Sequence, residues 1–181
     1  MLTGKNISLR SLRISDADFL NKWRNNLENK IMSQGYRLPI SLPKDEEWLK
    51  SKMLSSNNTE VYFIVEESGL PIGLIQLTNI DYISGTATWG FILGDKNSRG
   101  KGYSVEAPLL LFNYAFNILN LRKIIGYPLD LNIATLRMHQ KIGNVREEGC
   151  LKSHYFFNNK YWDVHILSFF KEDFNNLSFE L

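Results

Sequence analysis

Apolar positions follow two rhythms along this chain of 181 residues. Extended runs, alternating or nearly continuous in apolar character, occupy residues 7–12, 61–65, 72–77, 86–93 and 123–127, as expected of half-buried or buried strands. Helical spacing takes over elsewhere. Phe19, Leu20, Trp23 and Leu27 share one side of a helix opened by Ser15-Asp-Ala-Asp18, which has the form of a capping box. Trp48, Leu49 and Met53 follow Pro43, a favourable first helical position, and the Ser55-Ser-Asn-Asn58 cluster stops that helix. Ala107, Leu110, Leu111, Tyr114, Ala115 and Ile118 mark a long helix, and residues 132–142 a short one ended by Gly143. Two closing strands, 145–157 and 161–170, meet at Asn158-Asn159; Ser68-Gly69 and residues 82–85 supply further turns. Residues 29–42 read as irregular, with Gly35 and Pro39 as breakers.

The predicted order is β-α-α-β-β-β-α-β-α-β-β. Strands joined by short turns pair locally, whereas the helix between the fourth and fifth strands demands a parallel crossover. This implies an α/β (α+β) fold, with a mixed sheet of about seven strands and helices on both faces. The length suits one domain over residues 1–181, with 172–181 polar enough to fray. Pro108 lies inside the long helix and leaves the carbonyl near Ser104 without its helical partner.

The most informative segment is Arg99-Gly-Lys-Gly-Tyr-Ser104, between the strand ending at Leu93 and the long helix. Two glycines at a helix start let the backbone approach a ligand and present free N–H groups, and the helix dipole adds positive potential there. Such a turn suits a pyrophosphate, with Arg99 and Lys101 adding attraction. Neither G-x-x-x-x-G-K-[ST] nor a G-x-G-x-x-G opening a βαβ unit is present; the spacing is R-x-x-G-x-[G/A], with Ser104 as the last small residue.

A net charge of +2, with no run of more than two Lys/Arg, argues against a nucleic-acid surface. Cys150 is the one cysteine, so neither an internal disulfide nor a cysteine-rich metal site is expected. No signal-peptide-like start and no apolar segment long enough for a membrane span is evident, so a cytoplasmic protein is expected.

The R-x-x-G-x-[G/A] turn resembles the acetyl-CoA loop of the GNAT N-acetyltransferases, and the element order resembles that fold over nearly the whole chain. Within the family the chain is most similar to the RimJ/RimL-type branch, which carries a later N-x-x-[AS]-x-x-x-Y-x-K-x-G-F segment. Here residues 132–144 read Asn-Ile-Ala-Thr-Leu-Arg-Met-His-Gln-Lys-Ile-Gly-Asn. Asn132, Lys141 and Gly143 match, Thr135 is a small substitute, His139 stands where tyrosine is usual, and Asn144 replaces phenylalanine. Segments 148–154 and 159–164 are also familiar in that branch. Trp23-Arg-Asn25, Ile40-Ser-Leu42, Trp89-Gly-Phe91 and His139 together resemble amino-sugar N-acetyltransferases of the pseudaminic-acid pathway, whose acceptor is a nucleotide-linked 4-amino sugar.

The resemblance implies direct attack of a neutral amine on the thioester of acetyl-CoA, with no metal. Backbone N–H groups of Arg99, Gly100, Lys101, Gly102, Tyr103 and Ser104 would hold the pyrophosphate. Strand residues Phe91, Ile92 and Leu93 would pair with the pantetheine arm, and Asn132 would reach one of its amides while capping the short helix. His139, two turns on, shares that face. It is either the acid that protonates the departing thiolate, where the family uses tyrosine, or a buried histidine bonded to backbone. No general base stands out among Asp81, Glu106, Asp130, His154 and Asp163.

Trp23, Arg24, Tyr36 and Arg37 border the acceptor side in this architecture, where stacking and phosphate pairing suit a nucleotide sugar. For Trp23 a place in the core is the stronger reading, and the arginines also read as solvated. Rival acceptors are a protein N-terminal amine or a polyamine; a polyamine site should be acidic, and residues 29–42 contain no acid. Rivals of another class are a non-catalytic CoA-binding module and an inert scaffold. The closing aromatic strands, with Tyr155-Phe-Phe157 and Phe169-Phe170, cover either a homodimer interface or the core.

Overall fold

The structure, a computed structural model, describes residues 1–35 and 37–174. Eight strands form one sheet: β1 (Leu2–Thr3), β2 (Ser8–Arg10), β3 (Val61–Glu67), β4 (Leu70–Asp81), β5 (Thr86–Leu93), β6 (Lys123–Gly126), β7 (Arg146–Phe157) and β8 (Lys160–Phe170). Their order is β1-β2-β3-β4-β5-β6-β8-β7. Only β5 and β6 run parallel; the other neighbours are antiparallel. The parallel pair is where the predicted crossover helix lies, and the strand added to the expected seven is the two-residue β1.

Side-chain alternation places a core on each face. Paired residues Ile64 and Leu74 pack with Leu20, Trp23 and Leu49 under α1 (Ala17–Asn25) and α3 (Leu42–Leu54). One position along each strand, Val65 and Ile75 enter the opposite core, under α4 (Tyr103–Asn113) and α5 (Ile133–Ile142). Helix α4 is apolar nearly all round and correspondingly buried from Ala107 to Phe112. Pro108 is accommodated without breaking it. The tail of that helix widens into one π turn at Tyr114–Ile118.

Three local expectations shift. The first helix follows a 3-10 turn, Ile14–Asp16, with no side-chain cap from Ser15 or Asp18: the Asp16 carboxylate accepts the Arg13 amide at 2.7 Å, closing that turn, and is clasped by Arg10 at 2.6 and 2.8 Å. Arg10 also bonds Glu66 of β3, so this buried charge cluster fixes the helix start against the sheet. Part of the stretch expected to be irregular is helical, as α2 (Leu27–Met32), capped by Asn26 accepting the Asn29 amide. At the other end, Lys171–Phe174 form a short α6 whose Phe174 packs on Phe116, so residues 172–174 are structured; 175–181 lie outside the described residues.

Candidate active site

β5 and β6 pair only from Thr86–Lys123 to Thr88–Ile125. β6 then ends at Gly126 and the chain departs toward Leu129, which bridges to Val164 of β8. β5 continues to Leu93, held on its other side by β4. The divergence leaves one edge of residues 89–93 without a neighbouring strand and opens a cleft of about 680 Å³. Residues of β5 line its floor; Asn132, Thr135 and His139 of α5 form one wall, Asn29 and Met32 of α2 face it, and Arg99, Gly100 and Ser104 close the end. An extended ligand with amide groups can complete the β5 edge as a strand does. Phe91, Ile92 and Leu93 stand there as expected.

The glycine turn is built for main-chain contact. Asp95 accepts the Asn97 amide and the Ser98 hydroxyl, forming the short 3-10 turn Lys96–Ser98 that leads into it. Gly100 and Gly102 have φ of +81° and +89°, the left-handed region that disfavours any side chain. Tyr103 and Ser104 begin α4 and their amides have no intrahelical acceptor, whereas those of Val105 and Glu106 already bond the Gly102 carbonyl at 2.9 and 3.2 Å. The Arg99 amide, however, bonds the Lys96 carbonyl at 3.2 Å, so the available set starts at Gly100.

The side chains of the turn depart from expectation. Lys101 bonds both oxygens of Glu67 at 2.9 and 3.1 Å, and the Tyr103 hydroxyl donates to the same carboxylate. The Lys101 ammonium and the tyrosine hydroxyl hold the Glu67 carboxyl below the usual carboxylate range. Arg99 pairs with Glu28 of α2 at 3.2 Å. Lys101, Gly102 and Tyr103 do not line the cleft. Both cations of the turn are thus already partnered, which leaves backbone amides and the helix dipole as its unengaged positive groups.

His139 is 2% exposed; its Nδ1 lies 2.7 Å from the Thr135 carbonyl oxygen and its ring stacks on Phe169. A carbonyl only accepts, so Nδ1 carries the proton and Nε2 is bare in the neutral ring. Burial pulls the imidazole below its ordinary value, against the opposing Thr135 bond. The ring is thus buried and backbone-bonded, as one of the two readings has it, and it also lines the cleft. At neutral pH it rests uncharged, which removes the charged resting donor from the acid reading. Asn132 caps α5 by accepting the Thr135 amide at 3.1 Å and donates to the Met32 carbonyl at 3.3 Å, tying the two walls together.

The predicted acceptor-side group is dispersed. Trp23 is 4% exposed and packs against Gly94 just beyond β5, in the α1–α3 core. Arg24 bonds the fully buried Asp45 of α3 and lies over Trp48, 5.0 Å from the ring centroid. Both are structural because α1 turns that side toward α3. Arg37 sits over the Tyr155 ring at 4.4 Å, outside the cleft lining, and Tyr36 lies outside the described residues. The cleft instead uses Asn29, Ser33, Gln34, Gln76, Thr78 and Thr88, which sequence reasoning missed. For Asn29 the Asn26 cap was the available signal; alternation in β4 marks Gln76 and Thr78 only as polar.

Several carboxylates considered as bases have other tasks. Glu106 accepts the Asn6 and Ile7 amides, clamping the N-terminal segment. Asp81 accepts the Ile83 and Ser84 amides in a turn. Asp163 bonds Lys152 and the Ser153 amide, and Asp130 meets His165 at 3.4 Å. Among the described residues no group of His, Cys, Asp or Glu is arranged to hold a metal ion, and no helix is long and apolar enough to cross a membrane.

Comparison with known proteins agrees with this geometry. The spermidine N(1)-acetyltransferase of Vibrio cholerae is 31% identical over 173 residues, 95% of this chain and 97% of that one. The Escherichia coli K12 spermidine N(1)-acetyltransferase is 25% identical over 96% of this chain and 91% of its own length. The crystal structure of the Vibrio cholerae spermidine N-acetyltransferase with CoA and spermine superposes with a TM-score of 0.87 at 27% identity, covering 96% of this chain and all of that one. These relatives are spermidine acetyltransferases, and neither the likeness to the RimJ/RimL branch nor the finer one to amino-sugar acetyltransferases finds support among them. Residues 6–145 match the model of the acetyltransferase (GNAT) domain, so the chain belongs to the GNAT family and is an N-acetyltransferase that takes acetyl-CoA as co-substrate.

Proposed function

We propose that the chain acetylates a primary amine of a small molecule, with polyamines such as spermidine as the leading acceptor class. The observation that carries the acetyl-transfer reading is the divergence of β5 and β6 above the glycine turn. It provides one strand edge for a peptide-like arm and main-chain donors for a diphosphate at the end of that edge. The acceptor class rests on the two spermidine acetyltransferases that match over nearly the full chain. The bound amine must be neutral at the moment of attack, and holding it beside the thioester supplies most of the acceleration.

One observation favours a second acceptor class. Glu28 is the one carboxylate among the described cleft residues, and Arg99 engages it. The remaining polar lining is neutral, as suits hydroxyl groups better than several ammonium groups. A hydroxylated amine such as an amino sugar is the second reading. Release of free thiol from acetyl-CoA, followed with spermidine, spermine, a nucleotide-linked 4-amino sugar and an N-terminal peptide, separates them. Turnover with spermidine supports the leading reading, turnover confined to the sugar replaces it, and release with none of the four rejects both.

A further inference from the structure

Two buried polar atoms on the cleft wall have no hydrogen-bond partner among the described protein residues, the indole Nε1 of Trp89 and the imidazole Nε2 of His139. They belong together. The ring centroids are 5.3 Å apart, and a Cβ added to Gly126 would lie 2.7 Å from the first atom and 3.1 Å from the second. All three residues line the cleft. The missing side chain of β6 thus leaves open the place where a donor and an acceptor converge. Indole nitrogen only donates, and the tautomer fixed by the Thr135 carbonyl makes Nε2 the acceptor.

We propose that His139 carries a proton both ways during acyl transfer, with Trp89 holding by its N–H a water that links the attacking amine to Nε2. The amine nitrogen forms a bond to the thioester carbonyl carbon and yields one proton through the water to Nε2. The carbon–sulfur bond then breaks, and the imidazolium gives that proton to the departing thiolate. One proton moves from nitrogen to sulfur and His139 ends neutral. The idea deepens the acetyl-transfer reading and rests on it. A tyrosine at this position is a poor proton acceptor near neutrality, because phenol ionises near pH 10; the histidine adds the accepting half of the cycle.

The surroundings suit a ring that is neutral at rest. Phe169 of β8, Trp89 of β5 and Gly126 of β6 pack against it, with Phe112 of α4 behind the indole. None of these is ionisable, and the cationic Arg137 and Lys141 of α5 are exposed.

The test has two arms. Imidazole ¹⁵N NMR of the full chain should show His139 as the neutral Nδ1–H tautomer at pH 7; a charged ring or an Nε2–H tautomer overturns the proposal, whether or not an acceptor amine has been found. In thiol release with any amine that turns over, His139→Gln should lower kcat by about 100-fold or more, the range of general acid–base catalysis. It should also remove one ionisation from the acidic limb of the pH profile, leaving that of the amine itself, and Trp89→Phe should lower kcat while leaving the KM for acetyl-CoA within about twofold. Stabilisation of each variant by CoA serves as the control for folding. A His139→Gln rate within about threefold of the parent, or an unchanged acidic limb, overturns the proposal. If no amine turns over, the acceptor reading has failed and the NMR result alone decides the state of His139.

Discussion

Substituting Gly102 by alanine tests the diphosphate cradle on its own terms. Its φ is +89°, and an added Cβ would meet nothing within 4 Å. The free protein therefore suffers backbone strain without a clash, about 1–2 kcal/mol, or a fall in Tm of about 2–8 °C for a chain of this size. Gly69, in the β3–β4 turn and with no cleft-lining residue beside it as Gly102 has in Gly100 and Ser104 two positions away, has φ +82° and the same open surroundings. Gly69→Ala should lower Tm by a similar amount, making it a matched control. Only Gly102→Ala also displaces main-chain donors that meet charged oxygen. With hydrogen bonds to charged groups worth about 1.5–3 kcal/mol, CoA affinity should fall about 10- to 100-fold, whereas Gly69→Ala should stay within about twofold. Calorimetric titration with CoA and thermal melts on the same samples give both quantities. Equal CoA affinity in the two variants, with equal loss of Tm, would refute the cradle.

Other outcomes follow from contacts already described. Glu67→Gln releases Lys101 and Tyr103 and removes a negative charge near the turn, so CoA should bind about two- to fivefold tighter at low salt; an advantage that survives in high salt contradicts the electrostatic origin. Arg24→Ala strands the buried Asp45 carboxylate with Asn21 as its remaining side-chain partner, and stability should drop by about 2–3 kcal/mol in urea melts with acceptor KM unchanged. A raised acceptor KM at full stability would restore Arg24 to the binding site. His139 takes up a proton less readily folded than unfolded, because burial lowers its value. Below pH about 6.5 the unfolded chain gains protons that the folded chain refuses, so this contribution to stability is lost as pH falls toward the folded midpoint. Urea midpoints of the parent, referenced to His139→Gln, should therefore decline from pH 7.5 to 5; a constant difference contradicts the assignment.

The strand–turn–helix around residues 99–104 was legible because its signals are local: glycines, a preceding apolar run and a following helical period. Helix α2 was not. Its residues Leu27–Met32 carry one buried apolar side chain, Ile31, and an exposed Leu27, so periodicity is weak over so short a span. The roles of Trp23 and Arg24 were hidden for a different reason. Their partners, Gly94 and Asp45, lie far along the chain, and only tertiary packing shows which side of α1 meets α3. His139 was legible as a cleft residue through its spacing from Asn132, but its tautomer depends on the Thr135 carbonyl. The cleft depends on pairing that stops at Ile125 while β5 runs on to Leu93, a register fact with no local signature.

That stop has a consequence for the protein before any cofactor arrives. Unsatisfied strand edges usually sit at the rim of a sheet, where they invite other chains to add on. Here the exposed main chain of residues 89–93 is recessed between α2 and α5, within reach of a slender molecule and shielded from a folded neighbour. A protein prepared without CoA should consequently stay monodisperse on ageing, yet exchange the amides of β5 residues 89–93 with solvent deuterium much faster than those of β4, which is paired on both sides.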